Sequence, residues 1–242
     1  MTKAAIIAAM PGELEPLVRG WARESRGGVD TWRHTGGEWI AACAGMGSEA
    51  AARAFAEAEK GCALDLVISA GWAGSLCGEF STGCAFRMGE VVDGETGERF
   101  RTADPMGKGR VVTLKRVADR DTKRRLYAVH GPGLVDMEAS AVARLAAKRG
   151  AAFFCVKGVS DGPDDQLPDF NCFISANGKL RWIRLVLFAV PRPWHWPALA
   201  RMGGNSRRAA LGLRESLLEI LDKRITNQEA RWSPKSQTPT TS

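Results

Sequence analysis

The sequence predicts an α/β protein: one domain of three layers, with helices on both sides of a mixed, largely parallel central sheet. Short apolar runs of strand length alternate along the chain with segments whose apolar residues recur at helical spacing. The 242 residues, 45% hydrophobic and 25% charged, have the composition of an ordinary domain with one sizeable core. We assign residues 1–225 to this domain and expect residues 226–242, rich in Gln, Pro, Ser and Thr, to form a disordered tail.

The first part of the chain is predicted to contain a buried strand, a helix, a two-stranded hairpin, a second helix and another buried strand. Pro11 and Gly12 end the first apolar run, and the Gly36-Gly37 pair provides the hairpin turn. The predicted ranges are 3–10, 13–21, 32–34 with 38–44, 49–60 and 64–69.

The second part is predicted to contain strands at 84–92 and 110–114 around a loop at 94–109, followed by a short helix at 119–127. A helix at 139–148 stops at Gly150, and a buried strand at 151–159 ends in a turn that begins with Ser160 and Asp161. The last helix, at 205–220, takes Asn205 or Ser206 as its N-cap.

The sequence argues against a membrane-spanning protein, a secreted protein and a metal-binding protein. No run of eighteen apolar residues is present, and the N-terminal apolar run meets Glu13 and Glu15 at once, so we expect a cytoplasmic protein without a signal peptide. The six cysteines have no CxxC spacing, so we interpret them as reduced, mostly buried thiols. The three histidines are scattered, so we expect no metal and no cofactor, while a net charge of +7 favours an anionic partner or surface.

Two carboxylates flank the helix and strand of the segment VDMEASAVARLAAKRGAAFFCVKGVSD. Glu138 stands at the predicted helix start and Asp161 at the end of the following strand. A helix that packs on a parallel sheet begins at the edge where its next strand ends, so both side chains belong to one edge, where α/β proteins bind ligands. The alternative is that Glu138 only favours the helix dipole and Asp161 is only a turn residue.

The same edge is predicted to receive three further pieces of the chain. Glu13 follows the first strand directly. Gly45-Met46-Gly47-Ser48 opens a helix, and small residues cluster after Ser69, in the run Ala70-Gly71-Trp72. Glycines at such positions let the backbone approach a ligand, although most turns of this kind are only turns.

With these pieces placed, the chain resembles the nucleoside phosphorylase and nucleosidase family, in particular the methylthioadenosine/S-adenosylhomocysteine nucleosidases. The matching segments, in family order, are IIAAMPGEL, CAGMGSEAAA, DLVISAGWAGSL, VDMEASAVA and VKGVSDG. The resemblance implies an enzyme that cleaves the N-glycosidic bond of a purine nucleoside. It also implies a small-molecule nucleoside partner, no nucleic acid, and a homo-oligomer.

The resemblance also assigns roles to individual residues. Asp161 matches the general acid that protonates the departing purine, and Ser160 the residue that positions it. Glu138 matches the carboxylate that holds the ribose hydroxyls, with Met137 against the sugar, and Glu13 matches the base that prepares water. Ala70, Gly71 and Trp72 complete the expected substrate-binding set. A neutral acid helps a purine to leave, so we expect burial beside other carboxylates to keep Asp161 protonated.

The chain departs from the family at positions that bear on the nucleophile. Pro16 and Ser69 stand near the places of two phosphate-binding arginines, and Arg19 matches only with a shift in register. The absence of both arginines therefore favours water over phosphate as the nucleophile. Trp72, which replaces a small residue of the family, is expected to narrow or reshape the pocket. A purine nucleoside phosphorylase, a methylthioadenosine/S-adenosylhomocysteine nucleosidase and a non-catalytic nucleoside-binding module remain alternatives.

A subgroup, the hopanoid-associated phosphorylases, is similar in its shortened middle and in the segments SDGPDDQLPDF and PRPWHWPALARMGGNSRRA. This resemblance implies adenosylhopane, an adenosine with a polycyclic lipid at its 5′ carbon, cleaved to adenine and ribosylhopane. The segment from Leu180 to Trp196 mixes tryptophans with arginines, which suits peripheral contact with the inner face of the membrane. A buried helix followed by a proline turn is the alternative for this segment.

Overall fold

The computed structural model describes the backbone of residues 3–232 and the side chains of residues 3–222. Within this range it contains eleven strands, six α-helices and two short 3₁₀ segments at Phe170–Phe173 and Pro193–His195. The strands are β1 (Ala4–Ala8), β2 (Ala22–Arg26), β3 (Val29–Arg33), β4 (Trp39–Cys43), β5 (Leu66–Ser75), β6 (Ala85–Met88), β7 (Glu90–Asp93), β8 (Arg99–Arg101), β9 (Arg110–Thr113), β10 (Leu134–Asp136) and β11 (Ala152–Asp161). The helices are α1 (Pro11–Leu14), α2 (Ser48–Ala58), α3 (Arg120–His130), α4 (Ala139–Arg149), α5 (Trp182–Ala189) and α6 (Trp196–Trp232).

One mixed sheet passes through the whole domain, as the sequence predicts. Its centre is parallel: β4, β1, β5 and β11 lie side by side in that order. The edge strands are antiparallel, with β2 and β3 beyond β4, and β6 beyond β11. Near its end β5 also pairs with β10, from which β9, β7 and β8 continue the sheet. The carboxyl ends of β1, β5 and β11 therefore share one edge.

Helices cover both faces of this sheet and give the three predicted layers. On one face α2 and α4 pack Phe55 and Val142 against β1, β5 and β11. On the other face α6 packs Leu213 and Leu217, with Leu14 of α1. Both faces of β1 are thereby buried, which explains why its sequence is continuously apolar and does not alternate.

The predicted helix at 13–21 is wrong, because only Pro11–Leu14 is helical. Pro16 has no N–H to continue the helix, and Gly20 adopts a positive φ of 83°. The predicted strand at 84–92 is two strands that separate at Gly89, where a Cβ atom would lie 2.9 Å from the carbonyl oxygen of Gly107. The predicted loop at 94–109 contains the short strand β8.

Strand lengths at the ligand edge also differ from the prediction. The small residues after Ser69 belong to β5, which runs on to Ser75, and Ser160 and Asp161 are the last residues of β11 and not a turn. The register between β11 and β5 shifts between Val159 and Asp161, so a bulge lies at the strand end. Bulges of this kind redirect side chains next to active sites.

Asn205 and Ser206 do not cap a helix, because α6 already begins at Trp196 and contains both. The length of α6 comes from its packing on β11, where Gly158 has no side chain and lets Ala209 approach: a Cβ there would lie 2.9 Å from that of Ala209. The tail predicted from residue 226 stays a prediction. The backbone of residues 226–232 continues α6, and residues 233–242 lie outside the described residues.

All six cysteines lie within the described residues and are free thiols, but only Cys43 and Cys155 are buried. The expectation of mostly buried thiols is therefore wrong for the other four, and Cys84 and Cys172 are exposed. None of the helices in residues 3–232 is long and apolar enough to cross a membrane.

Candidate active site

A cavity of about 1450 Å³ opens at the edge where β1, β5 and β11 end, and it brings together residues far apart in the sequence. Ligand sites for small molecules commonly have about 300–1,000 Å³, so this cavity is large. Its lining includes six of the eight predicted site residues: Glu13, Trp72, Met137, Glu138, Ser160 and Asp161. The predicted convergence of three acidic side chains is thus observed.

Glu13 is buried and is fixed by three backbone N–H groups. Those of Ala9 and Met10 donate to its Oε2 atom, and that of Trp72 donates to Oε1, each at 2.8 Å. Burial raises the pKa of Glu13, while the N–H groups of Met10 and Trp72 oppose this rise. The carboxyl group is held rigidly, with a proton affinity above that of an exposed glutamate, which suits a general base.

Gly71 makes room for this carboxyl group. It adopts a φ of +149°, and a Cβ atom there would lie 2.9 Å from Oε1 of Glu13. Neither Gly71 nor Ala70 is among the residues that line the cavity, and Ala70 packs in the core on the α6 side of the sheet. The expectation that both residues touch the substrate stays a prediction.

A buried ion pair that the sequence did not predict lies next to the glutamates. Lys157 Nζ lies 2.8 Å from Oδ2 of Asp136 and donates to Ser69 Oγ at 3.1 Å. Asp136 also accepts from Thr113 Oγ1 at 2.7 Å and from the N–H of Ala139 at 2.9 Å. Burial opposes the charge on Lys157, but Asp136, Cys155 and Glu138 together outweigh this effect and raise the lysine pKa. A lysine within an apolar strand is the signal that could have identified this pair.

Glu138 stands at the N-cap position of α4 but makes no side-chain cap. Its Oε1 atom accepts instead from the N–H of Gly47, at 2.7 Å, across the cavity edge. Burial raises the pKa of Glu138 to about 8, and the negative charge of Asp136 is the second cause of this rise. Glu138 therefore does more than favour the helix dipole, because it accepts a hydrogen bond from the Gly45-Ser48 turn, which takes part in the site.

Asp161 is held by two side chains from different elements. Ser160 Oγ donates to its Oδ1 atom at 2.6 Å, and the ammonium group of Lys123, from α3, contacts Oδ2. A cation, which the expected surroundings of buried carboxylates did not include, pairs with the predicted acid. Lys123 was missed because it lies in a strongly charged helix with no apolar face to reveal its burial.

The remaining lining divides into an apolar part and a few cations. Helices α5 and α6 and the segments before them supply apolar side chains, among them Leu180, Trp182, Leu185, Val186, Ala189, Leu199, Met202, Ala210, Leu211 and Leu218. Four arginines also line the cavity: Arg19, Arg116, Arg207 and Arg214. Trp72 closes part of the wall, with its Nε1 atom donating to the carbonyl of Ser206 at 3.0 Å.

Within the described residues no group of three or more histidine, cysteine or acidic side chains is arranged to hold a metal ion. The groups that line the cavity include carboxyl groups, the buried ammonium group of Lys123, the four arginines and the hydroxyl of Ser160. Such a set can protonate a leaving group, bind hydroxyls and activate water.

Comparisons with known proteins agree with this geometry. Residues 100–179 match the family described as the Phosphorylase superfamily. No curated protein matches the sequence.

Solved structures share the fold along almost the whole chain, at low sequence identity. The futalosine hydrolase of Helicobacter pylori is 15% identical with a TM-score of 0.69, covering 92% of this chain and 98% of its own. The 5′-methylthioadenosine nucleosidase of Arabidopsis thaliana is 15% identical with a TM-score of 0.70, covering 92% and 95%. The 5′-methylthioadenosine/S-adenosylhomocysteine nucleosidase of Neisseria meningitidis, in complex with methylthio-immucillin-A, is 20% identical with a TM-score of 0.68, covering 92% and 100%. The chain therefore has the fold of these nucleosidases.

Proposed function

We propose that this protein is a nucleosidase that cleaves the N-glycosidic bond of a 5′-substituted adenosine and releases adenine. The observation that carries the proposal is the convergence of Glu13, Glu138 and Asp161 on one cavity at the carboxyl edge of the sheet. Separate carboxyl groups for acid, base and sugar binding are what cleavage of a glycosidic bond requires.

The proposed reaction assigns one step to each group. In the reactive complex Asp161 gives a proton to N7 of the purine while the C1′–N9 bond breaks and its electron pair goes to the base. The sugar acquires oxocarbenium character, which Glu138 stabilises while holding the ribose hydroxyls. Water adds to C1′ and loses a proton to Glu13. Met137 lines the sugar region, and Ser160 orients the acid.

Water is the proposed nucleophile, because the two positions expected to hold phosphate carry no arginine. The hydroxyl of Ser69 accepts a hydrogen bond from Lys157, and Pro16 lines the cavity but carries no charge. A phosphorylase is the second candidate, since Arg19 lines the same cavity and could bind an anion there.

The apolar part of the lining supports a large, lipid-like 5′ substituent. Side chains from α5 and α6 extend the cavity well beyond the volume that a nucleoside needs. We place adenosylhopane first among the substrates, with ribosylhopane as the product. A methylthioadenosine/S-adenosylhomocysteine nucleosidase remains the alternative with a small substituent.

The exposed face of α5 supports peripheral membrane contact by the segment from Leu180 to Trp196. Ile183 is 77% exposed and Leu187 68% exposed, so the alternative of a buried helix does not fit. Trp182 and Val186 belong both to this face and to the cavity lining, so a lipid could pass from the bilayer to the site without crossing water. We place the enzyme in the cytoplasm, at the inner membrane surface.

The decisive experiment measures adenine release from a panel of 5′-substituted adenosines, with and without phosphate. The proposal expects release without phosphate, greatest for large apolar substituents. Strict dependence on phosphate would support the phosphorylase. Binding without any release would support a non-catalytic nucleoside-binding module.

A further inference from the structure

Helix α3 buries a charged residue where an apolar one would be expected. Of its eleven residues, all of which the structure describes, only Lys123 is buried, at 3% exposure. Lysines are almost never fully buried unless they are paired. Exposed cations such as Arg124 cover the outer surface of the same helix, so the burial of Lys123 is specific to its position.

Lys123 reaches the site through a space that Gly74 provides. Its Nζ atom contacts Asp161 Oδ2 and donates to the carbonyl of Gly162 at 2.6 Å. A Cβ atom at Gly74 would lie 2.9 Å from Cε of Lys123 and 3.0 Å from Oδ2 of Asp161. Any larger residue at position 74 would therefore separate the ammonium from the carboxyl group.

The ammonium group of Lys123 has three N–H donors. Asp161 and the carbonyl of Gly162 accept two of them, which leaves the third N–H for the cavity that Lys123 lines. Asp161 is fixed from both sides, since Ser160 holds Oδ1 and Lys123 holds Oδ2. An ion pair of this kind corresponds to the site after the proton has left Asp161.

We propose that Lys123 is a positioning residue for the acid step: it holds Asp161 and stabilises the carboxylate that forms as the proton passes to the purine. This inference rests on the proposed function. The proton moves from Asp161 to N7, and Lys123 keeps all its own protons. A fixed ammonium beside the developing negative charge lowers the cost of forming it inside a dry cavity.

The test compares Lys123→Met, which keeps the length of the side chain without its charge, with Arg124→Met on the exposed side of the same helix. For Lys123→Met we expect kcat to fall by about 100-fold or more, within the range of general acid catalysis, while KM changes less than about threefold. Arg124→Met should retain the parent kcat. Circular dichroism and thermal melting check that each variant is folded.

Two further measurements separate positioning from simple structural support. In Lys123→Ala, added ethylammonium should enter the cavity and raise kcat in proportion to its concentration, whereas ethanol should not. The double variant Lys123→Met with Asp161→Asn should be no slower than Asp161→Asn alone, because the two groups act as a unit.

The inference is overturned if the parent releases adenine and Lys123→Met keeps its kcat within about threefold, or if ethylammonium has no effect and the losses in the double variant multiply. A parent that releases no adenine from any nucleoside refutes the proposed function itself. The two failures are therefore distinguishable in one set of assays.

Discussion

Glu13, Glu138 and Asp161 bring the same functional group to one cavity, but their neighbours differ. Three backbone N–H groups hold Glu13, one holds Glu138, and a hydroxyl with an ammonium holds Asp161. Acid and base roles in a single site are commonly separated by environment and not by residue type. The hydrogen-bond partners, more than the carboxyl groups themselves, therefore divide the roles proposed here.

Asp161→Asn is predicted to abolish turnover while nucleoside binding survives. The amide keeps the size of the side chain but cannot give a proton to the purine, so kcat should fall by about 10²–10⁴-fold. Adenine release measures kcat, and calorimetry measures binding. Asp164→Asn, an exposed partner of Arg120, is the matched control and should retain activity. An Asp161→Asn variant as active as the parent would contradict the assignment.

Nucleoside binding is predicted to release a proton from Glu138. In the free protein its pKa is raised to about 8, so Glu138 is mostly protonated at neutral pH. Ribose hydroxyls that donate to the carboxylate favour the ionised form and lower this pKa on binding. Proton release should therefore occur between the lowered pKa of Glu138 in the complex and a pH of about 8, and vanish well above that pH.

Calorimetry in two buffers of different ionisation enthalpy measures this proton release, and Glu138→Gln should abolish it. Proton uptake on binding, or release that persists in Glu138→Gln, would show that Glu138 does not accept the ribose hydroxyls.

Sequence patterns identified Glu13 and Asp161 at the ends of predicted strands and Glu138 at the start of a predicted helix. The roles of Lys157 and Lys123 were not predicted, for opposite reasons. Lys157 was read as part of a motif, and Lys123 lies among exposed charges whose pattern gives no sign of burial. Ionic partners across the sheet depend on tertiary distances that no local pattern contains.

Two ten-residue strands, β5 and β11, carry most of the site, and their length was underestimated. Small residues in β5 are typical of a turn, but Gly71 and Gly74 are glycines because Glu13 and the Lys123–Asp161 pair occupy the space of a Cβ atom. The same short sequence of small residues serves equally well in a turn or in a strand that approaches other groups closely. The distinction required the packing partners.

Helix α5 and the turn after it are predicted to bind anionic vesicles. Trp194 is 68% exposed and Trp196 53% exposed, beside Arg192 and Arg181. The double variant Trp194→Ala with Trp196→Ala should weaken sedimentation with vesicles that contain anionic lipid. Val129→Ala with Met106→Ala, which removes exposed apolar side chains elsewhere, should leave sedimentation unchanged.

Unchanged sedimentation of the tryptophan variant would remove the membrane proposal. Sedimentation velocity without vesicles tests whether a second copy of the chain, and not a membrane, covers this face. A shift of the tryptophan variant from a homo-oligomer to a monomer would assign the surface to a second copy of the chain.

Across the whole molecule, the three-layer order and the parallel centre of the sheet followed from the alternation of apolar runs and helical segments. The apolar part of the cavity lining that α5 and α6 supply, called the apolar arm below, could not be predicted in this way. It forms where the segment after α1 meets α5 and α6, and more than 150 residues of the chain separate that segment from the two helices. The predicted helix cap at residue 205 also divided α6, which hid the continuous face that lines the arm.

The arm predicts that catalytic efficiency rises with the length of an apolar 5′ substituent. Each buried methylene contributes about 0.8 kcal/mol, so kcat/KM should rise up to about fourfold per added carbon in a 5′-alkylthioadenosine series until the arm is filled. Leu211 lines the arm and is half exposed, so Leu211→Asp should fold and reduce this slope without changing kcat for the shortest substrate. Hydroxylated substituents of equal length provide the control and should show little gain. A slope of zero in the parent would indicate that the arm does not bind the substituent, and it would favour the small-substrate nucleosidase over the lipid-linked one.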